Sequence, residues 1–375
     1  MSEQASKAIL VLGAYGLAGR SIVHRLLNET SYPVTAAGRR PESLQSVLAS
    51  FTCDRLQKRV LDVNDKEALR KACSNASLVI NAVGPYALMG AEIAKVVVEC
   101  ERPYIDCANE QIHYRALSEV GTQAQEMGLP LVTAAGVIPG ISTLLIAHLL
   151  ETFPETRKID CFWAQARHAY ASSGLASMMG GILEATQQPV ALEAGEFVPV
   201  VMGRSTQSFP LPNPFGEKRL LELPTIDNLT IPKRYSLNSL HVWFYLGELP
   251  LWLLGLVRLL KPYGRRWAYR AIETIMRRIN EKDTAKAIAR GLGPEALLYV
   301  VASHKETKHK AQLLFKDGAG PTACLPVAVG QMILEGRCTQ SGLLTPLDLL
   351  AFDEFFSQCE DVIVHSEGVP CISLD

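Results

Sequence analysis

A doubly wound parallel α/β sheet followed by a second α+β domain with a mixed or antiparallel sheet is the fold class this sequence predicts, on three observations. The apolar run Ala8–Leu12 ends in glycines 13, 16 and 19, and an apolar-periodic segment follows at Ile22, Val23, Leu26 and Leu27, which reads as strand, tight turn and helix. Apolar strands then alternate with helix-compatible segments up to residue 145, the pattern of parallel strands joined by crossover helices. From Arg157 onward strands are no longer regularly separated by helices. The expected division is a nucleotide-binding domain over 1–145, a substrate and dimerisation domain over 146–322, and a C-terminal segment over 323–375.

The physics of the first turn explains its glycines. Gly13 allows a bend that a Cβ would hinder, Gly16 lets a diphosphate approach the backbone, and Gly19 lets the helix pack close against its strand. The helix N-terminus then presents N–H groups and the positive end of its dipole to an anion. The spacing is G-x-x-G-x-x-G, not the G-x-G-x-x-G of the dinucleotide fingerprint, so the reading leans on the strand before and the helix after.

The second strand, within YPVTAAGRR, stops at Gly38. Dinucleotide domains carry an acidic residue about twenty positions beyond the glycines to bind the adenosine ribose. Here Gly38, Arg39 and Arg40 stand in that place, and both the missing acid and the added guanidinium groups favour a 2′-phosphate. The expected cofactor is NADP rather than NAD; the bland alternative is two solvated arginines in a turn before Pro41. A helix over 41–49 leads to a third strand, RVLDV, ending at Asp62 and Val63. Asp62 is a candidate acceptor for the adenine amine or a cap for the next helix, with Asn64 better placed to cap. A fourth strand, within ASLVINAVGPY, is stopped by Gly84-Pro85, so Asn81, Ala82, Val83, Gly84, Pro85 and Tyr86 are expected at the carboxyl edge beside the ribose and nicotinamide. Tyr86 is a candidate proton donor or a packing ring. After a helix over 90–100, the fifth strand, Tyr104–Asp106, is followed by Asn109 and Glu110 at the same edge. A helix over 113–127 leads to a sixth strand whose end carries Gly136, Pro139 and Gly140, and Ser142 or Thr143 is expected to cap the apolar helix after it.

Composition excludes some functions. The 375 residues are 48% hydrophobic, enough for two cores, and the net charge of −1 gives no field that would gather nucleic acid. The 9 cysteines form no C-x-x-C pair and read as buried thiols of a reducing compartment, with neither disulfides nor a metal site expected. The opening MSEQASKAIL lacks the regions of a signal peptide, so a cytoplasmic protein is expected.

In the second half, KIDCFWAQARHAY reads as one strand, carrying the lone histidine His168, and YVVASHKETKHKAQLLFKD as two strands joined by a polar turn at 305–308. Ser172, Ser173 and Gly174 form a helix entry that suits a substrate carboxylate or the nicotinamide, or is ordinary capping. The stretch from Trp243 to Leu260 is the most apolar of the chain, yet it holds Glu248, Pro250 and Arg258, which argues against a membrane-spanning helix. Lys261, Arg265, Arg266, Arg270, Arg277 and Arg278 follow, interleaved with Trp267 and Tyr269. Residues 243–278 therefore suit an anionic membrane or lipid surface, a cover for a greasy substrate, or a helical pair packed on the second domain or a partner subunit. Near the end, PVAVGQMILEG reads as an apolar helix stopped by Gly336.

The motifs GAYGLAG at 13–19, AGRR at 37–40, INAVGPY at 80–86, YIDCANE at 104–110 and AGVIPG at 135–140 together resemble the saccharopine dehydrogenase-like oxidoreductases, with weaker matches at 172–179 and in EGRCTQSGLLTPLDLL. The resemblance implies a Rossmann domain binding NADP or NAD, substrate placed between two domains, a homodimer, and a tail that returns to the first domain. Carried over, it gives Gly13, Ala14, Tyr15, Gly16, Leu17 and Gly19 to the pyrophosphate turn, Arg39 and Arg40 to the 2′-phosphate, and Gly84 to Tyr86 to the nicotinamide side. Two departures, Asn109 where relatives have glycine and Leu175 where they have threonine, fall near the expected substrate cleft.

The expected function is hydride transfer between NADPH and a C=N, C=O or activated C=C bond of a small or lipid-like substrate. Tyr86, Glu110 and His168 are the candidate proton donors, with Asn109, Ser172, Ser173 and Gly174 toward the substrate. The alternative is a non-catalytic NADP-binding protein acting at a membrane or lipid surface through 243–278.

Overall fold

The computed structural model describes residues 8–49, 51, 53–165, 188–201, 205–245 and 295–368. The described residues divide into two compact units, the first made of those within Met1–Ala108, His113–Gly140 and Thr322–Leu350, the second of those within Asn109–Ile112, Ile141–Pro321 and Ala351–Asp375.

The first unit alternates strand and helix: β1 (Ala8–Leu12), α1 (Leu17–Glu29), β2 (Val34–Gly38), α2 (Pro41–Leu48), β3 (Leu56–Val60), α3 (Lys66–Cys73), β4 (Ala76–Asn81), α4 (Tyr86–Glu99), β5 (Tyr104–Asp106), α5 (Gln111–Glu126) and β6 (Pro130–Val132). The parallel sheet runs β6-β5-β4-β1-β2-β3, so the strand order reverses between β1 and β4, and ligands of such sheets bind at the carboxyl ends there. A seventh parallel strand, Gly342–Leu344, adds to β6 from the far end of the chain. The central strands are continuously apolar because helices cover both faces: Ile9, Val11, Leu78 and Ile80 alternate with Leu10, Leu12 and Val79, all essentially without solvent contact. β3, at the sheet edge, instead carries Gln57, Lys58 and Arg59 and is blunted by charge.

Local details differ from the sequence reading. The cap of α3 is Asp65, whose carboxylate accepts from the Ala68 N–H at 3.0 Å, while the Asn64 side chain is turned to Asp62 at 2.7 Å. α4 begins at Tyr86, not at residue 90, because Pro85 already has extended geometry as its N-cap. The segment after residue 322 is split. The helix Cys324–Leu334, ended by Gly336 at φ 70°, packs on α1 and belongs with the first unit, but from Ala351 the chain joins the second, where the strand Ile363–Glu367 pairs with the strand Thr307–Phe315.

In the second unit, α6 (Ile141–Thr152) is followed by β7 (Lys158–Gln165), β8 (Val190–Glu193), β9 (Glu196–Pro199), β10 (Thr206–Leu211), β11 (Gly216–Glu222), β12 (Ser239–Tyr245), β13 (Ala296–His304) and β14 (Thr307–Phe315). The sheet is mixed: β12 and β7 are parallel, while β7–β13, β13–β14, β10–β11 and β11–β12 are antiparallel. Trp243 to Tyr245, expected to open the apolar stretch, are the end of β12, where Trp243 packs with Phe162 and Phe209 in an aromatic cluster. Residues 246–278, the rest of that stretch and its basic continuation, lie outside the described residues.

Ser142 and Thr143 are not caps. They lie in the first turn of α6 and donate their hydroxyls to the carboxylate of Asp227, Ser142 at 2.6 Å, and all three residues are buried. Burial pushes the Asp227 carboxyl up to about 6, since two hydroxyl donors only partly replace its lost hydration. An acid raised in this way takes up a proton on folding between the ordinary carboxylate range and pH 6, so its contribution is greatest at low pH, falls through that window and is level above it. For the parent chain the fall amounts to on the order of 3 kcal/mol by linkage. Asp227→Asn should flatten this part of the profile, which urea unfolding of both chains at pH 4 and pH 7 measures; an unchanged difference between the two pH values would contradict it.

Candidate functional site

The site is built where β1 ends. Gly13 takes φ 77°, the turn closes with the Gly16 N–H donating to the Gly13 carbonyl at 2.9 Å, and Gly16 becomes the N-cap of α1 with no side chain to satisfy the helix end. The first intrahelical bond runs from Arg20 N–H to Gly16 O, so the N–H groups of Leu17, Ala18 and Gly19 precede it and face beyond the terminus. No acidic side chain lies in the first turn of this thirteen-residue helix, which leaves the positive end of its dipole uncompensated. A Cβ at Gly19 would meet the Gly13 carbonyl oxygen at 2.3 Å, so only glycine lets α1 approach its own turn this closely. A Cβ at Gly13 would reach the Ala82 carbonyl oxygen at 2.8 Å, which brings the end of β4 against the same turn. The cradle fits the diphosphate of a dinucleotide.

Not every residue carried to the turn faces an anion. Ala14 is buried and its N–H donates to the Ala37 carbonyl at 3.0 Å, so it ties the turn to β2. The ring of Tyr15 lies over Gly38 and under the Arg40 guanidinium, whose carbon is 5.0 Å from the ring centroid. Arg39 and Arg40 are exposed at the end of β2, and among the described residues neither makes an ion pair. Asp62 and Val63 lie in the turn beyond β3; the Asn64 N–H holds the Asp62 carboxyl below the usual range against slight burial, with the Asn64 amide and the Arg39 charge adding to it. A groove of about 560 Å³ lined by Ala8, Pro33, Thr35, Lys58 and Asn75 lies at the opposite, amino-terminal ends of these strands and is no part of this site.

The carboxyl ends of β4, β5 and β6 are joined by a buried polar network that the sequence reading missed. The Asn81 amide donates to the Tyr104 hydroxyl and its oxygen accepts from the Val83 N–H, both at 2.9 Å, which shapes the exit of β4 into Ala82, Val83, Gly84 and Pro85. Asp106, at the end of β5, accepts from Thr133 at 2.7 Å and from the Ala108 N–H at 3.0 Å, and pairs with His113 Nε2 at 2.7 Å. Burial alone would raise the Asp106 carboxyl, but the charge and hydrogen bond of His113 together with the other two donors hold it below the ordinary range. Asp106 and His113 are fully buried and seven positions apart, strand end to helix, a separation that follows no periodicity visible in sequence. The Tyr86 hydroxyl donates to the Asn81 carbonyl at 3.0 Å, and its ring lies 5.6 Å from that of His113. Gly136 is buried in a closed turn, its N–H donating to the Pro139 carbonyl at 3.1 Å.

Of the remaining site candidates, two are described and four are not. Asn109 and Glu110 fold with the second unit: the Asn109 carbonyl accepts from the Ile226 N–H at 3.2 Å, and Glu110 accepts from the Asn109 N–H at 3.1 Å. His168, Ser172, Ser173 and Gly174 lie outside the described residues.

Comparison with known proteins agrees with this geometry. The family model described as the saccharopine dehydrogenase NADP binding domain matches residues 9–132, the span that holds the glycine turn, the two arginines and the Asn81–Asp106 network. The match covers about a third of the chain and assigns those residues to the nucleotide-binding domain of that family. The first unit is an NADP-binding Rossmann domain. A lipid droplet localized protein of Caenorhabditis elegans is 30% identical over 142 residues, 34% of this chain and 32% of that protein. A saccharopine dehydrogenase-like oxidoreductase of Rattus norvegicus is 26% identical over 152 residues, 36% of this chain and 35% of that protein. The matched part thus spans about a third of the length of these curated relatives. The saccharopine dehydrogenase (L-Glu forming) of Saccharomyces cerevisiae shares the fold with a TM-score of 0.66 over 96% of this chain and 99% of that one, at 13% identity. Among the described residues no helix is long and apolar enough to cross a membrane.

The contact between Gly19 and the turn gives a direct test. Gly19→Ala should weaken NADPH binding at least tenfold in a fluorescence titration and lower the unfolding free energy by about 1–3 kcal/mol, the usual cost of overpacking. The slight gain in helix propensity does not offset a clash with backbone atoms. Unchanged affinity would mean that α1 can stand further from the turn.

Proposed function

We propose that this protein is an NADP-dependent oxidoreductase of the saccharopine dehydrogenase-like type that transfers a hydride to or from a C=N, C=O or activated C=C bond of a small or lipid-like substrate. The observation that carries the reading is the N-terminus of α1, without a side-chain cap among the described residues, brought by Gly19 onto a glycine turn at the point where the strand order reverses, with Arg39 and Arg40 exposed just beyond the end of the neighbouring strand. Such a terminus binds diphosphate, and guanidinium groups at the end of β2 suit a 2′-phosphate. Bound NADPH would supply the hydride, so the protein has to orient the ring, exclude water and provide one proton.

Ala82, Val83, Gly84 and Pro85 are the residues proposed to seat the nicotinamide side, because the Asn81 side chain fixes their path from below. Gly136 belongs to the same proposal as a close-packed wall. Tyr86 is the favoured proton donor: it stands at the start of α4, and its hydroxyl proton is held at the Asn81 carbonyl, within one side-chain rotation of the carboxyl edge. Glu110 is the second candidate. A cytoplasmic homodimer is the accompanying proposal for location and assembly.

Incubating the protein with NADPH and representative imines, ketones and conjugated enoyl compounds should give cofactor oxidation with one class. Tyr86→Phe should then lower turnover by 10²-fold or more with the NADPH Kd within about threefold, the range for loss of a general acid. Tight NADPH binding with no oxidation by any class would favour a non-catalytic role instead.

A second reading, that the chain works at a lipid surface through 243–278, is favoured by the similarity to a lipid droplet localized protein of Caenorhabditis elegans and by the apolar and then basic composition of that stretch. In flotation with vesicles containing anionic lipid, the intact chain should rise with the vesicles and a chain lacking 246–278 should not; equal recovery of both would remove this reading.

A further inference from the structure

The side chain of Tyr15 does a different task from the one its place in the glycine motif suggests. Its neighbours in sequence form the anion turn, but its ring turns toward β2. A Cβ built on Gly38 would come within 2.5 and 2.6 Å of the Tyr15 ring carbons Cε1 and Cδ1, so the ring fills the space that a side chain at position 38 would need. In domains that select an unphosphorylated ribose, the end of this strand supplies the acidic side chain that binds the ribose hydroxyls. Tyr15 thus closes that option sterically.

The same ring meets Arg40. The guanidinium carbon stands 5.0 Å from the centroid, within cation–π range, and a guanidinium lying on a ring keeps its edge N–H groups available to phosphate oxygens. Arg39 is differently placed: its charge is felt by Asp62, which lies in the turn beyond β3 and is kept anionic by Asn64. One arginine is held by a neutral ring and the other shares its field with a carboxylate. The two are not equivalent.

We infer that Tyr15 is the specificity-determining residue of the adenosine subsite: its ring bars an acidic side chain from position 38 and orients the Arg40 guanidinium toward a ribose 2′-phosphate, so that Arg40, rather than Arg39, carries most of the phosphate preference. The inference rests on NADP binding by this domain and says which residues choose the phosphorylated nucleotide.

Calorimetric titration with adenosine 2′,5′-bisphosphate and adenosine 5′-monophosphate isolates this subsite from the nicotinamide half. The intact chain should prefer the bisphosphate. Tyr15→Leu, which keeps bulk over Gly38 but has no π face, should weaken the bisphosphate roughly three- to tenfold, as expected for a cation–π contact, and change the monophosphate less than twofold. Tyr15→Phe should behave as the parent. Arg40→Ala should lose more of the preference than Arg39→Ala, and adding Tyr15→Leu to Arg40→Ala should cost less than twofold more. If Tyr15→Leu weakens both nucleotides equally, or costs as much without Arg40 as with it, the ring only supports the turn and the inference falls while NADP binding stands. If the intact chain binds the two nucleotides equally, the phosphate preference itself is absent and both readings fall.

Discussion

The contact on which the first unit depends is between two stretches of backbone. Gly19 sits so near the carbonyl of Gly13 that one added carbon would overlap it, and this nearness puts the α1 terminus over the end of β1. The same point is tied on both sides, by the Ala14 N–H to the Ala37 carbonyl and by the Ala82 N–H to the Leu12 carbonyl at 2.9 Å. Three strand ends and a helix terminus thereby share one small volume. The first-turn donors of α1 are left without side-chain partners, a state that a protein tolerates at a terminus facing solvent or an anion.

Each unit also buries a carboxylate, and the two are stabilised unequally. Asp106 has a histidine, a hydroxyl and a backbone N–H around it, enough to keep the charged form below the usual range despite complete burial. Among the described residues Asp227 has two hydroxyl donors and no cationic partner, so desolvation prevails and the proton is held to higher pH. The difference follows from the donors rather than from the depth of burial. Asp106 joins β5, β6 and α5 directly beneath the exit of β4, and a charged, fully bonded group makes that junction stiff where ligand positioning needs it.

The parallel half of the molecule is legible in sequence because its signals are local. Strands buried on both faces must be apolar throughout, helices must repeat at the period of the apolar face, and turns must carry glycine where φ is positive. Hence β1 to β6 and the glycine turn follow from the sequence, except that β3 lies three residues earlier than RVLDV, at Leu56–Val60, and the turn between β13 and β14 falls at Lys305 and Glu306, inside the expected polar stretch. Local chemistry misleads where a side chain has a remote alternative. Ser142 and Thr143 have the composition of caps, but Asp227, some 85 residues on, takes their hydroxyls. Trp243 opens an apolar run that resembles a helix, yet it ends a strand because the aromatic cluster with Phe162 and Phe209 has room for it. The tail reads as one returning segment, but its two parts answer to different sheets, Gly342–Leu344 to β6 and Ile363–Glu367 to β14.

By itself the sequence determined the alternation of strands and helices in the first unit, the location of the glycine turn and the presence of two cationic side chains where an acid is usual, since each depends on residues within a few positions of one another. Only the tertiary structure decided which side chains meet: that Tyr15 leaves its own turn for Gly38 and Arg40, that Asp106 pairs with His113, and that Asp227 takes the hydroxyls of Ser142 and Thr143. Contacts of this kind depend on distances through space, and the chain carries no periodic or local mark of them.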